Sequence, residues 1–316
     1  MFPSFNPKEQ GLPLVLILGI LALTVTVPFL GMVLGVLMPL PIIWTFVRGG
    51  RAQGVVLIGL VFLFLLIFAG DLPARVFFAE YGVLAWVMAE GIRQSQPMDR
   101  CVFFSALGST AVSVLLLFVF LAEQDVGVSE FIEKQVSAQV QITVDAMKSA
   151  QEGSSEDMLL LEKNFSSVAK LFSEIYPSLL LVGSLIMALI NYFALQFFAG
   201  KLEVLFPFCR EKFSEWNLPE SMVWFLLVSG AAVALGGGLG SVGTNLLVVV
   251  LFAYFIQGVA VVVHFLQTRK FARLIWFVTF FLIMLQPILI GITIGIGVFD
   301  LWADFRKLRS IPFQSE

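Results

Sequence analysis

The sequence predicts an all-α fold: a polytopic transmembrane helix bundle of about ten passes (eight to ten) with a small extracytoplasmic helical insert. Three observations predict it. Hydrophobic residues fill 59% of the 316 positions and charged ones 13%, where a soluble domain carries about 45–50% and about 25%. Mean hydropathy is +0.96. Apolar runs long enough to cross a bilayer recur from one end of the chain to the other. A net charge of -3, the absence of a basic stripe and only two cysteines exclude a nucleic-acid binder and a disulfide scaffold. The same composition excludes a soluble enzyme and a disordered chain.

The first residues, MFPSFNPKEQG, set one Lys beside one Glu and contain no basic n-region. The apolar stretch that follows, Leu12 to Val47, far exceeds a signal-peptide core of about 7–15 residues and is expected to stay in the membrane. Single spans are expected over Ala52–Gly70, Pro73–Ile92, Val102–Leu121, Ser178–Gly200, Met222–Gly236 and Asn245–Leu266, because lipid offers no partner to free backbone groups. Gly11–Val47 and Phe271–Ala303 are each about twice a normal span and hold a mid-stretch proline, Pro28 and Pro287. Each reads as a tight hairpin of two short helices, with one tilted, Pro-kinked helix as the alternative.

Positive-inside counting favours ten passes. With both termini in the cytoplasm, every basic residue except Arg75, Lys134, Lys148, Lys163 and Lys170 faces inside, which is 14 of the 19. Trp44, Trp216, Trp276 and Trp302 then fall at the inner headgroup level as anchors. Cys101 and Cys209 adjoin basic segments in the reducing cytoplasm and read as small apolar side chains.

Three domains follow: an N-terminal transmembrane bundle over 1–122, an extracytoplasmic amphipathic helical insert over 123–173, and a C-terminal transmembrane bundle with a cytoplasmic tail over 174–316. The insert has a local charge of about -5 and apolar residues at helical spacing, Val128 to Val144 and Leu161 to Phe172. The linker Gln151–Asp157 separates its two helices, which form either a cap or a solvated spacer. The halves have five passes each, but their motif order does not match an inverted repeat.

Polar residues at membrane depth are expensive and point to sites. Glu80 and Tyr81 sit in the outer half of their span, where Glu80 either meets a cationic or hydroxyl-bearing ligand or has a structural partner. Glu90 is expected to pair with Arg93, and Asp71 with Arg75. Tyr254, Gln257 and His264 share one stripe; Asn191, Tyr192 and Gln196 share another neighbourhood. Both groups read as ligand or inter-helix contacts. Asp300, Asp304 and Lys307 stack on one face at the cytoplasmic interface beside Arg306. Salt bridges to Lys307 or to basic loops are expected there, since two carboxylates fall short of a metal site. No catalytic residue, metal site or cofactor is expected. Gly238–Gly243 matches G-x-G-x-x-G but lies at a turn between two spans, where no βαβ unit exists. Gly31/Gly35 and Gly291/Gly295 read as close-packing pairs.

Trp216-Asn217-Leu218-Pro219, Asn245-Leu246-Leu247, Tyr254-Phe255-Ile256-Gln257-Gly258-Val259-Ala260 with His264, Phe299-Asp300 and Phe305-Arg306-Lys307 together resemble the YybS-like family of uncharacterised bacterial cytoplasmic-membrane proteins. The 123–173 insert lies outside that resemblance. In the N-terminal half, Pro39-Leu40-Pro41 with Arg48-Gly49-Gly50 and Gly54 is distantly similar to the S components of energy-coupling-factor transporters and to the rod-shape protein MreD. The first similarity implies a non-enzymatic small-molecule binding or transport-related subunit. The second implies a scaffold for cell-envelope machinery with a membrane or cytoplasmic protein partner. The remaining expected partner is the lipid bilayer of the bacterial inner membrane.

Overall fold

The structure, a computed structural model, describes residues 7–124, 155–202 and 212–308, scattered positions between 127 and 142, and residues 204 and 206. The chain divides into two compact units, Met1–Cys209 and Arg210–Glu316. Among the described residues every regular element is helical.

The N-terminal unit contains α1 (Pro7–Thr26), α2 (Pro28–Gly35), α3 (Pro39–Gly49), α4 (Arg51–Phe68) and α5 (Asp71–Phe77). A π turn (Phe78–Gly82) joins α5 to α6 (Val83–Arg93), and α7 (Met98–Gln124) and α8 (Ser155–Lys201) complete it. Prolines set the starts. Pro28 and Pro39 stand in the first turns of α2 and α3, where the missing N–H has no intrahelical partner to lose. Gly50 and Gly70, with φ of 93° and 95°, end one helix and open the next in a conformation that Cβ-bearing residues avoid. The buried core gathers Ile42, Ile43 and Phe46 of α3, Leu57 and Val61 of α4, and Leu84 and Met88 of α6.

The C-terminal unit starts with a 3-10 turn (Phe213–Glu215) and continues through α9 (Met222–Leu235), α10 (Gly237–Thr268), α11 (Arg273–Leu285) and α12 (Pro287–Ala303). Helix α10 is its spine, packed against α9 on one side and α12 on another.

Among the described residues six helical stretches are long and apolar enough to cross a membrane: Phe29–Gly49, which runs over α2 and α3, Arg51–Phe68, Asp71–Arg93, Met98–Gln124, Leu171–Lys201 and Gly237–Thr268. Large apolar side chains such as Val25, Phe68, Trp224 and Leu274 point outward, as lipid-facing residues do. The pair α11–α12 is bent by 105° at Gln286, and Gly11–Thr26 and Met222–Leu235 are shorter apolar helices.

Several expectations change. The stretch Gly11–Val47 is three helices rather than two, because Pro39 breaks it as well as Pro28. Its first two fold back on each other so closely that a Cβ on Gly31 would overlap the Thr24 backbone. Leu161 to Phe172, read from sequence as a separate amphipathic helix, and the last residues of the expected linker, 155–157, belong to the continuous 47-residue α8, about 70 Å long. Nothing between Ser155 and Lys201 stops that helix; even Pro177 is accommodated inside it. The first expected insert helix lies largely outside the described residues. Helix α8 packs on α7 and α3, so the compact boundary falls after Cys209 and not at 174. Cys209 itself lies outside the described residues, whereas the buried Cys101 thiol donates to the Gln96 carbonyl at 3.5 Å.

Candidate functional site

Two places gather polar side chains inside the units. In the first, a single π turn interrupts the span Asp71–Arg93. Such a turn pulls carbonyls out of the i→i−4 ladder and often marks a functional site. Here the displaced carbonyls are met from outside. The buried Ser109 hydroxyl of α7 lies 3.0 Å from the Ala79 carbonyl and 3.2 Å from that of Glu80, so its one proton is shared between them. Removing this hydroxyl as Ser109→Ala is expected to cost about 0.6–1.7 kcal/mol, the range of single inter-helix polar contacts in membranes. A lowered thermal midpoint of the purified chain with unchanged helix content checks it.

Glu80 stands on this turn, nine residues from Asp71, hence about 14 Å along its span. Its side chain is partly buried, and among the described residues its carboxylate makes no ion pair and no hydrogen bond. Tyr81 and Tyr176 are its tyrosine neighbours. The other acids nearby are paired. Asp71 takes Arg75 at 2.7 Å, as the spacing predicted. Glu90 does not take Arg93. It accepts from Arg51 Nε at 2.8 Å and from Arg51 Nη2, and Gln94 Nε2 joins at 3.0 Å. Arg51 starts α4 while Glu90 ends α6, and the packed bundle brings those ends together. With Arg51 66% exposed, this rim pair adds little stability.

The second place is in the C-terminal unit. The side chains of Arg306 and Asp300 are 1% and 3% exposed. Asp300 Oδ2 accepts from Arg306 Nη2 at 2.7 Å, Arg306 Nε at 3.2 Å and Gln257 Nε2 at 3.1 Å. Arg306 Nη1 donates to the carbonyls of Ser214 at 3.0 Å and Trp216 at 2.7 Å. Gln257 Oε1 accepts from the Leu218 N–H at 2.7 Å, and its Nε2 also reaches Asn217 Oδ1 at 3.1 Å. Three separated pieces of chain meet in this node: the 213–218 segment, α10 and the turn after α12. Asp304 makes that turn, in the left-handed region with φ 43°, and its Oδ1 accepts from the Leu308 N–H at 2.9 Å. The chain thereby doubles back and aims Arg306 at Asp300. The partner of Asp300 is therefore Arg306, not Lys307. Tyr254 is buried one turn before Gln257, in a cluster with Leu218, Val250 and Leu301. Asp300 Oδ1, the Tyr254 hydroxyl and Trp216 Nε1 are buried without a hydrogen bond.

The remaining expected residues separate. His264 lies seven residues beyond Gln257, partly exposed and edge-on to Phe265, so it does not join the node. Asn191 is fully buried and ties α8 to the α2–α3 turn, donating to the carbonyls of Val36 at 2.7 Å and Met187 at 2.8 Å. Tyr192 is buried beside Phe193, and Gln196 is partly exposed. Glycines Gly238–Gly243 form the first turns of α10 after the bend at Gly236–Gly237, and a Cβ on Gly243 would lie 2.7 Å from Ala232 of α9. Gly291 and Gly295 have open space around them; the close crossing uses Gly258 and Gly297 instead. No group of metal-ligating side chains forms among the described residues. Sequence reasoning missed Arg51, Ser109, Tyr176 and Ser214. Ser214 acts through its carbonyl, which leaves no trace in residue type, and the other three are brought in by helices remote in sequence.

A family model described as "Predicted membrane protein (DUF2232)" matches residues 14–301. No curated protein and no solved structure matches the chain.

Proposed function

The chain belongs to that family of predicted membrane proteins, and on this premise we propose that it is a non-enzymatic small-molecule binding or transport-related subunit whose ligand meets Glu80. The single observation behind this reading is the unpaired carboxylate on the π turn, at mid-depth of a membrane span. A charge there is expensive to keep, and such residues in membrane proteins mark ligand and ion pathways. The ligand class that offsets the cost is cationic or rich in hydroxyl groups, with Tyr81 and Tyr176 as neighbouring hydroxyls. The one histidine of the chain, His264, belongs to the C-terminal unit, so no imidazole of the N-terminal unit accompanies Glu80 as a general base. That supports a binding role over catalysis.

The positive-inside count supports a bacterial cytoplasmic membrane with both termini inside. Ten crossings, the 123–173 insert outside and an S-component-like N-terminal half belong to the same reading. Thermal-shift screening of the purified chain with polyamines, quaternary amines and sugar alcohols tests it. At least one compound is expected to raise the wild-type midpoint by several degrees and to leave Glu80→Gln unmoved. A screen in which nothing distinguishes the two chains removes the binding role and leaves the scaffold reading, for which crosslinking would have to recover a reproducible partner.

A further inference from the structure

Elsewhere in the N-terminal unit, a cleft of about 500 Å³ opens between α1, α3, the start of α4 and the end of α8. That volume is typical of small-ligand sites. Leu12, Leu16, Leu40, Trp44 and Phe198 make its walls, and Thr45, which also lines it, spends its hydroxyl proton on the Pro41 carbonyl at 2.8 Å. The polar groups left over are at one end: Arg48, in the last turn of α3, and Gln53, in the first turn of α4. Gly49 makes room for Gln53, because a Cβ there would overlap the Gln53 side-chain amide. No acid lines the cleft. Arg51, three residues on, is paired with Glu90, whereas Arg48 has no acidic partner among the described residues. Lys201, between the lining residues Phe198 and Leu202, is held 5.0 Å over the Phe197 ring and adds a second positive charge at that end of α8.

An apolar slot with an unpaired guanidinium at its mouth matches one kind of molecule: a hydrocarbon chain with an anionic head. Arginine is the residue suited to such a head, since its planar fork of donors meets phosphate oxygens two at a time. Arg48 stands at the end of a span, where a lipid headgroup sits, and Trp44 one turn deeper lies beside the chain of such a molecule. The geometry points to a specific site for an anionic phospholipid of the surrounding bilayer, headgroup on Arg48 and acyl chain along Trp44. This goes beyond the Glu80 reading and rests on none of its residues.

Trp44 supplies the probe. The full chain is reconstituted in vesicles containing phosphatidylglycerol or phosphatidylcholine with brominated acyl chains, which quench a tryptophan they touch. Subtracting the signal of a Trp44→Phe chain isolates Trp44. Quenching by brominated phosphatidylglycerol is expected to reach half-maximum at a several-fold lower mole fraction than with phosphatidylcholine. Arg48→Gln is expected to abolish that preference, and Arg48→Lys to retain part of it, with both variants keeping the wild-type thermal midpoint. Equal quenching by the two lipids in the wild type overturns the proposal, as does a preference that survives Arg48→Gln. Loss of the preference on adding inorganic phosphate also overturns it, reassigning Arg48 to a soluble anion. If Arg48→Gln does not fold, Leu16→Phe, which narrows the slot without touching the charge, is expected to weaken Trp44 quenching by both lipids; unchanged quenching counts against the site.

Discussion

Replacing Arg306 with methionine is expected to destabilise the C-terminal unit by about 3–5 kcal/mol, the range found when one partner of a buried ion pair is removed. The methionine fills much of the volume, so the loss is electrostatic. Asp300 keeps a buried carboxylate with only the Gln257 amide on it, and the carbonyls of Ser214 and Trp216 lose their donor. Asp300→Leu is expected to be comparably harmful, since it strands the guanidinium. The double variant R306M/D300L is expected to recover much of the loss, because apolar replacement of a whole buried pair is often neutral or better. Unfolding of the full chain in detergent, followed by tryptophan fluorescence, measures all three. Additive losses in the double variant would show that the two side chains act independently, against the geometry of the node.

Leucine at Gly258 or Gly297 is expected to prevent α10 and α12 from packing. A Cβ on Gly258 would overlap the Thr293 carbonyl, and one on Gly297 would overlap the Tyr254 carbonyl. These are backbone atoms that no rotamer change can move, so the two helices must separate. Overpacking of a tight interior costs about 1–3 kcal/mol and occasionally more. At a backbone contact the upper end is expected, and the node loses its alignment because its member Gln257 adjoins Gly258. Gly291→Ala and Gly295→Ala are the matched controls. Both positions have open surroundings, so each change is expected to stay within about 0.5 kcal/mol. Thermal midpoints of the four variants separate the two pairs; a large loss at Gly291 or Gly295 would place the crossing elsewhere.

The same contrast shows what sequence spacing can and cannot reach. The G-x-x-x-G pattern at Gly291 and Gly295 is a statement about one helix face, and which face meets a neighbour depends on where α10 lies. Asp71 and Arg75 pair as expected because four residues of helix place them together regardless of the rest of the fold. Glu90 breaks the parallel expectation because Arg51 offers a fork from another helix, and Arg93 cannot match it from its own. In the C-terminal unit the quoted phrases around Trp216, Gln257, Asp300 and Arg306 turn out to be the pieces of one hydrogen-bonded node. The gaps from Trp216 to Gln257 and from Gln257 to Asp300, 41 and 43 residues, gave no sign that they meet.

Membrane location and helical class were determined by the sequence by itself, because burying apolar residues in lipid and satisfying each backbone group within its own segment are local requirements. The prolines at 28 and 287 likewise marked helix breaks through a local property, a missing N–H, whereas the further start at Pro39 came with the structure. The tertiary structure alone decided which polar groups are left over. Arg306 is consumed by Asp300, the Asn191 Nδ2 by the Val36 carbonyl, and Ser109 by the widened turn at Glu80, while the Glu80 carboxyl and the Arg48 guanidinium have no ion-pair partner among the described residues. An ion pair or hydrogen bond forms over about 3 Å, and only the packed arrangement of remote helices fixes distances that short.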